Sequence, residues 1–136
     1  MAYAIKAEIR DHKAKTLTFA AQKTMYGGKL IAKGDTIFLF ASENEVGHGL
    51  VARGIVTSAE AVVRRPGVAR QTPRVSLTIR CTALATRPLG RRELKSMTNW
   101  SNAQPGTELN FKLYRQATNK IAGISDEAEA FLATFF

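Results

Sequence analysis

The segment "RVSLTIRCTAL", Arg74 to Leu84, alternates strictly. Val75, Leu77, Ile79, Cys81 and Ala83 fall on one side, and Ser76, Thr78, Arg80 and Thr82 on the other. A period of two sustained over that length is a strand with one face buried, so the rest of the chain must supply a sheet for it to join. Arg80 then points outward. Weaker versions of the pattern lie upstream. Tyr3, Ile5, Ala7 and Ile9 alternate with Ala4, Lys6, Glu8 and Arg10, predicting an N-terminal strand buried on one face, and "KAKTLTFA" repeats the alternation with Leu17 and Phe19. Ile37 to Phe40 is a short, continuous, aromatic-rich run, which predicts a central strand buried on both faces. "LVARGIVTSAEAVV" is rich in β-branched and small residues, and Gly54 inside it marks a bulge or bend.

Turn chemistry separates these runs. Gly34-Asp35 precedes the central strand, and "RRPGVARQTPR" is a loop by its prolines, glycine and charges. Further on, "RPLGRRELKSM" predicts a short helix, "NWSNAQPGTEL" a loop and "FKLYRQ" a last strand. Ser125 followed by Asp126 and Glu127 is an N-cap with acids in the first turn, opening a closing helix that packs Phe131, Leu132 and Phe135. There is no internal repeat, low-complexity segment or linker. The pattern predicts one domain over residues 1–136, a compact barrel-like β domain with two short peripheral helices. A chain of this length buries roughly two-thirds of the surface its unfolded form exposes, enough for a single core without staples.

Charge narrows the function. Of the formal net charge of +9, nearly all falls between Ala61 and Thr107, where eight arginines and Lys95 face a single acid, Glu93. Guanidinium suits phosphates and base edges, so a nucleic-acid partner is the natural inference, against a basic face that only solvates the protein. Arg53, Arg64, Arg65, Arg80, Arg91 and Arg92 are the candidate phosphate contacts. The lone Cys81 excludes an intramolecular disulfide, and on the apolar face of its strand it reads as an inert core thiol. No apolar run approaches the ~20 residues of a membrane span, and the charged, alternating N-terminus has no signal-peptide core. A soluble, cytoplasmic protein is expected, without a membrane partner.

Two clusters invite a chemical role. Glu43, Glu45 and His48 carry metal-ligand chemistry, but the only other histidine is His12, and two glutamates on an exposed loop have little to separate their pKa values. Neither a metal nor a cofactor is expected. No nucleophile elbow, zincin, phosphate-loop or deaminase motif is present. Trp100, the only tryptophan, lies among Asn99, Ser101 and Asn102, and indole is a strong stacking platform for a nucleobase with nearby amides to read its edge. The alternative is a tryptophan that closes one end of the barrel.

The order of motifs resembles the PUA-like superfamily, in its EVE and ASCH branches. "YGGKLIAKGDTIFLFAS" is similar to the glycine-aspartate turn and central strand that ends at a serine beside the ligand pocket, and "GHGLVARGIVTSAE" to the returning strand. "RVSLTIRCTAL" with "RPLGRRELKSM" resembles the next strand and its leucine-rich helix, and "NKIAGISDEAEAFL" the closing strand and helix. The resemblance implies an α+β fold, a PUA-like mixed β-barrel of about five to seven strands with short peripheral helices, and a barrel-edge pocket that receives a single flipped, often modified base without cutting the strand. It places Ser42 at the pocket end of the central strand, Tyr26 and Gly27 at the entrance, and Asn119 and Lys120 on the far side. Asn44 and His48 would pass the pocket mouth. The leading reading is therefore a domain that binds DNA or RNA. Its rivals are a nucleotide or RNA hydrolase of ASCH type, with Lys120, Glu43 or Glu45 in catalysis, and a binder of a small anionic metabolite.

Overall fold

The structure is a computed structural model that describes residues 2–42, 49–99, 104–116 and 118–136. Six strands, β1 (Ala2–Ala7), β2 (Thr16–Met25), β3 (Thr36–Ala41), β4 (Gly49–Ala61), β5 (Arg74–Leu84) and β6 (Lys120–Ile124), close into a barrel in the order β1-β3-β4-β5-β2-β6. The barrel is mixed: β1 runs parallel to β3 and β2 to β6, while the other neighbours are antiparallel. The mixed α+β barrel expected from the sequence is thus the observed architecture.

Two cores are built from the two faces of the same strands. Inside the barrel pack Tyr3, Ile5, Ile37, Leu39, Val56, Leu77, Ile79 and Ile121. Outside it, Ala2, Ala4, Phe38, Phe40, Leu50 and Ile124 pack against Leu94 of α1 (Arg91–Leu94), Leu109 of α2 (Pro105–Leu109), Leu113 and Tyr114 just beyond it, and Leu132 of α3 (Asp126–Ala133). This second layer corrects the reading of β1. Every residue from Ala2 to Ala7 is buried, Lys6 included, because helices cover the face that alternation assigned to solvent. For β3 both faces are buried, as its unbroken apolar run requires.

Gly54 does sit at a break in register between β4 and β5, and a Cβ there would stand 2.7 Å from the Arg80 carbonyl oxygen. Gly34 takes a φ of 96° in the turn before β3, while the Asp35 carboxylate accepts the Ala32 N–H at 2.8 Å. Ser125 caps α3, accepting the Ala128 N–H at 3.1 Å.

Two expectations are overturned in the segment before β6. Pro105–Leu109, read as loop, is helical, with proline in the first turn where its missing N–H costs nothing. "FKLYRQ", read as the last strand, continues that helix as a π-helical stretch, Asn110–Arg115. Six residues are too few for a period of two to be told from a helical face. Among the described residues no helix is long and apolar enough to cross a membrane.

Candidate functional site

The helix from Pro105 to Arg115 presents Thr107, Asn110, Phe111, Tyr114 and Arg115 at helical spacing along one stripe, and that stripe lines a cleft of about 600 Å³ against Arg91 and Lys95. Aromatic rings and cations alternate here. The Arg91 guanidinium lies 5.5 Å from the centre of the Tyr114 ring, and the Lys6 ammonium lies 5.3 Å from it. Arg115 stands 5.7 Å from the Phe111 ring, which packs on Tyr26 at 5.9 Å; Lys112 in turn lies 5.3 Å from Tyr26. Each contact draws a cation to the negative face of a ring, fixing long side chains that would otherwise be mobile. No carboxylate is among the described lining residues. The cleft therefore offers flat apolar surface flanked by positive charge, suited to a planar, anionic ligand.

Behind the cleft two lysines are buried side by side. Lys6 of β1 pairs directly with Lys120 of β6, and both point into the layer beneath the helices. Lys120 is fully buried, and its Nζ donates to the carbonyl oxygens of Lys112 at 2.6 Å and Gln116 at 2.9 Å. It thus caps the C-terminal end of the helical segment, where unsatisfied carbonyls collect negative charge. Burial, with Lys6 adding repulsion, lowers its pKa from 10.5 to about 8. One residue earlier, the Asn119 Oδ1 accepts the Ser42 hydroxyl at 2.5 Å, while the Ser42 N–H donates to Ala7 at 2.8 Å. The ends of β3, β1 and β6 are joined by these bonds.

At the other end of the helix, Glu108 accepts the Ser125 N–H at 2.9 Å, the Ser125 hydroxyl and the Lys112 ammonium at 3.0 Å. Burial pushes its carboxyl up, but the Ser125 and Lys112 bonds outweigh that and hold it below the usual value. These bonds tie α2 to the cap of α3 and fix the cleft's floor to the barrel.

Comparison with known proteins bears on what this arrangement is. No protein-family model matches the sequence, and no curated protein matches it. Solved structures do match in fold. Human THYN1 in complex with DNA containing 5-methylcytosine superposes with a TM-score of 0.69 at 14% identity, over 98% of this chain and 95% of that one. The DUF55 domain of human thymocyte nuclear protein 1 gives 0.65 at 12% identity, covering 98% and 97%. A Pseudomonas putida protein gives 0.65 at 12% identity, covering 99% of both chains. The chain shares the fold of these structures. At such identities the likeness is one of backbone, and the side chains of this barrel must be judged by their own geometry.

By that geometry the residues expected around one pocket separate into groups. Ser42 and Asn119 meet. Tyr26 and Gly27 stand at the opposite end of β6, where the Tyr26 carbonyl accepts the Gly123 N–H at 3.2 Å; four residues of strand put them about 13 Å away. Tyr26 reaches the cleft only through Phe111. Lys120 is committed to two carbonyls and buried from ligand, which removes it as the nucleophile or base of a hydrolase. Asn99 is exposed just beyond α1. Asn44, His48, Trp100 and Asn102, with Glu43 and Glu45, lie outside the described residues. Among the described residues no three of His, Cys, Asp and Glu gather as metal ligands.

The arginines also divide. Arg91 and Arg92 are on α1, and Arg91 lines the cleft. Arg64 and Arg65 are on the β4–β5 loop. Arg53 lies 5.1 Å from the Phe136 ring, packed on the chain's C-terminus. Arg80 is exposed on β5, which in the six-strand ring stands across from helix-covered β1, so it faces away from the cleft. The sequence reading missed Phe111, Tyr114 and Arg115. Their signal was the spacing of Thr107, Asn110, Phe111, Tyr114 and Arg115, a helical stripe hidden by reading the segment as loop and strand.

Proposed function

We propose that the chain is a nucleic-acid-binding domain in which the cleft between α1 and the 105–115 helix receives one base against the half-buried Phe111. Arg91, Arg92, Lys95 and Arg115 hold the flanking phosphates. The observation that carries this reading is the aromatic cleft with cations on both walls and no acid among its described lining residues. Base stacking on an aromatic ring supplies ~1–3 kcal/mol, and each phosphate contact adds a salt-dependent increment through counterion release. The shared fold supports it further, since human THYN1 with that fold is solved in complex with 5-methylcytosine-containing DNA. Asn110, a polar side chain on the cleft's helical wall, is the group we assign to reading a base edge. DNA with a modified cytosine is the first ligand to test, with RNA as the comparison.

The test is titration of fluorescent duplexes carrying cytosine or 5-methylcytosine, and of single-stranded DNA and RNA, at several salt concentrations. Binding that weakens as salt rises and is lost in Phe111→Ala, with the fold verified by circular dichroism, supports the proposal. Absence of binding at low salt, or binding indifferent to salt, overturns it.

A further inference from the structure

The loop joining β4 to β5 carries features that nucleic-acid binding leaves unused. Val62, Val63 and Val68 are 41%, 88% and 49% exposed, half of the six large apolar side chains that stand out among the described residues. They line a second cleft of about 700 Å³ together with Lys29, Arg64 and Arg65. Beside it runs an open strand edge. β3 pairs with β4 only as far as Ile55, and the last bonds on that side join Val56 to Gly34 and Asp35. On the other side the Val62 N–H bonds the Arg74 carbonyl at 2.9 Å, and Ala61 pairs with Val75 and Ala59 with Leu77. Antiparallel alternation then turns the N–H and C=O groups of Ala59 and Ala61 away from β5, toward the vacant side. No hydrogen bond to these four groups is present among the described residues.

We infer that this edge and cleft form a docking site for an extended acidic segment of another protein, which adds as a strand to β4 and alternates apolar residues against the valines with carboxylates toward Lys29, Arg64 and Arg65. Three considerations select this occupant. A free edge beside pockets for alternate side chains is the geometry of strand addition. The described lining contains no aromatic ring to stack a base, and valines gain nothing against a sugar-phosphate backbone. A second copy of the chain would bring the same three cations into a self-paired interface of a protein of net charge +9.

The experiment selects phage-displayed random 12-residue peptides on the full chain, with the Ala61→Pro variant for counter-selection. Proline at an outward-facing N–H removes an edge donor without breaking the β5 ladder, so the variant should fold, as circular dichroism will verify. Enriched peptides alternating apolar and acidic residues, binding by fluorescence anisotropy and weakened about tenfold by Ala61→Pro and by Val63→Asp, support the inference. No enrichment over the counter-selected pool, or enriched peptides without acids, overturns it. So does displacement of the peptide by a duplex whose own binding Arg64→Glu abolishes, which would make the loop a nucleic-acid surface. A dimer in sedimentation that Ala61→Pro dissociates would assign the edge to a second copy and also overturn it.

Discussion

Lys120 provides the sharpest quantitative test of how this fold is held together. Its ammonium is fully buried with pKa lowered to about 8, against 10.5 in an unfolded chain. The displacement corresponds to at most about 3 kcal/mol of native stability withheld while the amine must be charged. The unfolded chain binds the proton more tightly, so between pH 8 and 10.5 it carries more protons than the native state, and stability rises with pH through that window. The structural bonds survive deprotonation, because a neutral amine retains two N–H donors and only two carbonyls, of Lys112 and Gln116, need them. Tyr3 acts in the opposite sense. Burial, with Asp35 adding to it, raises its pKa above 10.0, so stability falls once unfolded tyrosine ionises. Comparing wild type with Lys120→Met cancels that and every other shared titration. Urea unfolding followed by circular dichroism from pH 7 to 10.5 should show wild type gaining on the variant by up to about 3 kcal/mol. A difference that stays flat, or that grows as pH falls, refutes the argument.

Further outcomes follow from single contacts. Glu108→Ala strands the Ser125 N–H and leaves Lys112 with only the Gly123 carbonyl to bond among its described partners, and should cost about 2–4 kcal/mol. Because its carboxyl is held below the usual 4.5, the wild-type advantage is present above that pH and is lost as acid protonates the group, which urea titrations between pH 3 and 6 can follow. Gly28→Ala should destabilise by about 3 kcal/mol or more in the same assay, since its Cβ would stand 2.1 Å from the Ile121 carbonyl oxygen, on backbone that cannot turn aside. Cys81, half-buried and with its thiol pushed up by burial, should be alkylated more slowly than a free thiol at pH 8 and faster in denaturant.

Much of the barrel was readable from residue order, because strands with a strict period or an unbroken apolar run admit few alternatives. β5 and β3 are the clear instances, with Val75, Leu77 and Ile79 buried and Arg80 exposed as alternation required. β1 was harder. Its alternation was real, yet small residues on the second face, Ala2 and Ala4, are what allow helices to pack there, and a small apolar residue reads as neutral in a pattern of hydrophobes. The site was less legible still. Ser42 and Asn119 are 77 positions apart and only closure of the barrel joins them, whereas Lys120 looked like an accessible cation because nothing local reveals the carbonyls that engage it. The division of the arginines was invisible for the same reason: a run of charge along a chain that crosses the barrel twice is distributed over its walls.

That distribution has a measurable consequence for nucleic-acid binding. If the cleft is the site, the cations that count are Arg91, Arg92, Lys95 and Arg115, and four phosphate contacts give a slope of log affinity against log salt of about −3. Removing one contact flattens the slope by about 0.7–0.9. Arg92→Ala should do only that, since Arg92 is exposed and touches no ring among the described contacts. Arg91→Ala should flatten the slope equally and cost further affinity that salt does not recover, because its guanidinium also steadies the Tyr114 ring at 5.5 Å. Arg80→Ala should change neither quantity, standing on the wall opposite the helical layer. Fluorescence titrations of one duplex at four salt concentrations distinguish these outcomes. If Arg80→Ala flattens the slope as much as Arg91→Ala does, phosphates wrap around the barrel and the cleft cannot be the sole contact; if Arg91→Ala leaves the slope intact, the cleft is not a contact at all.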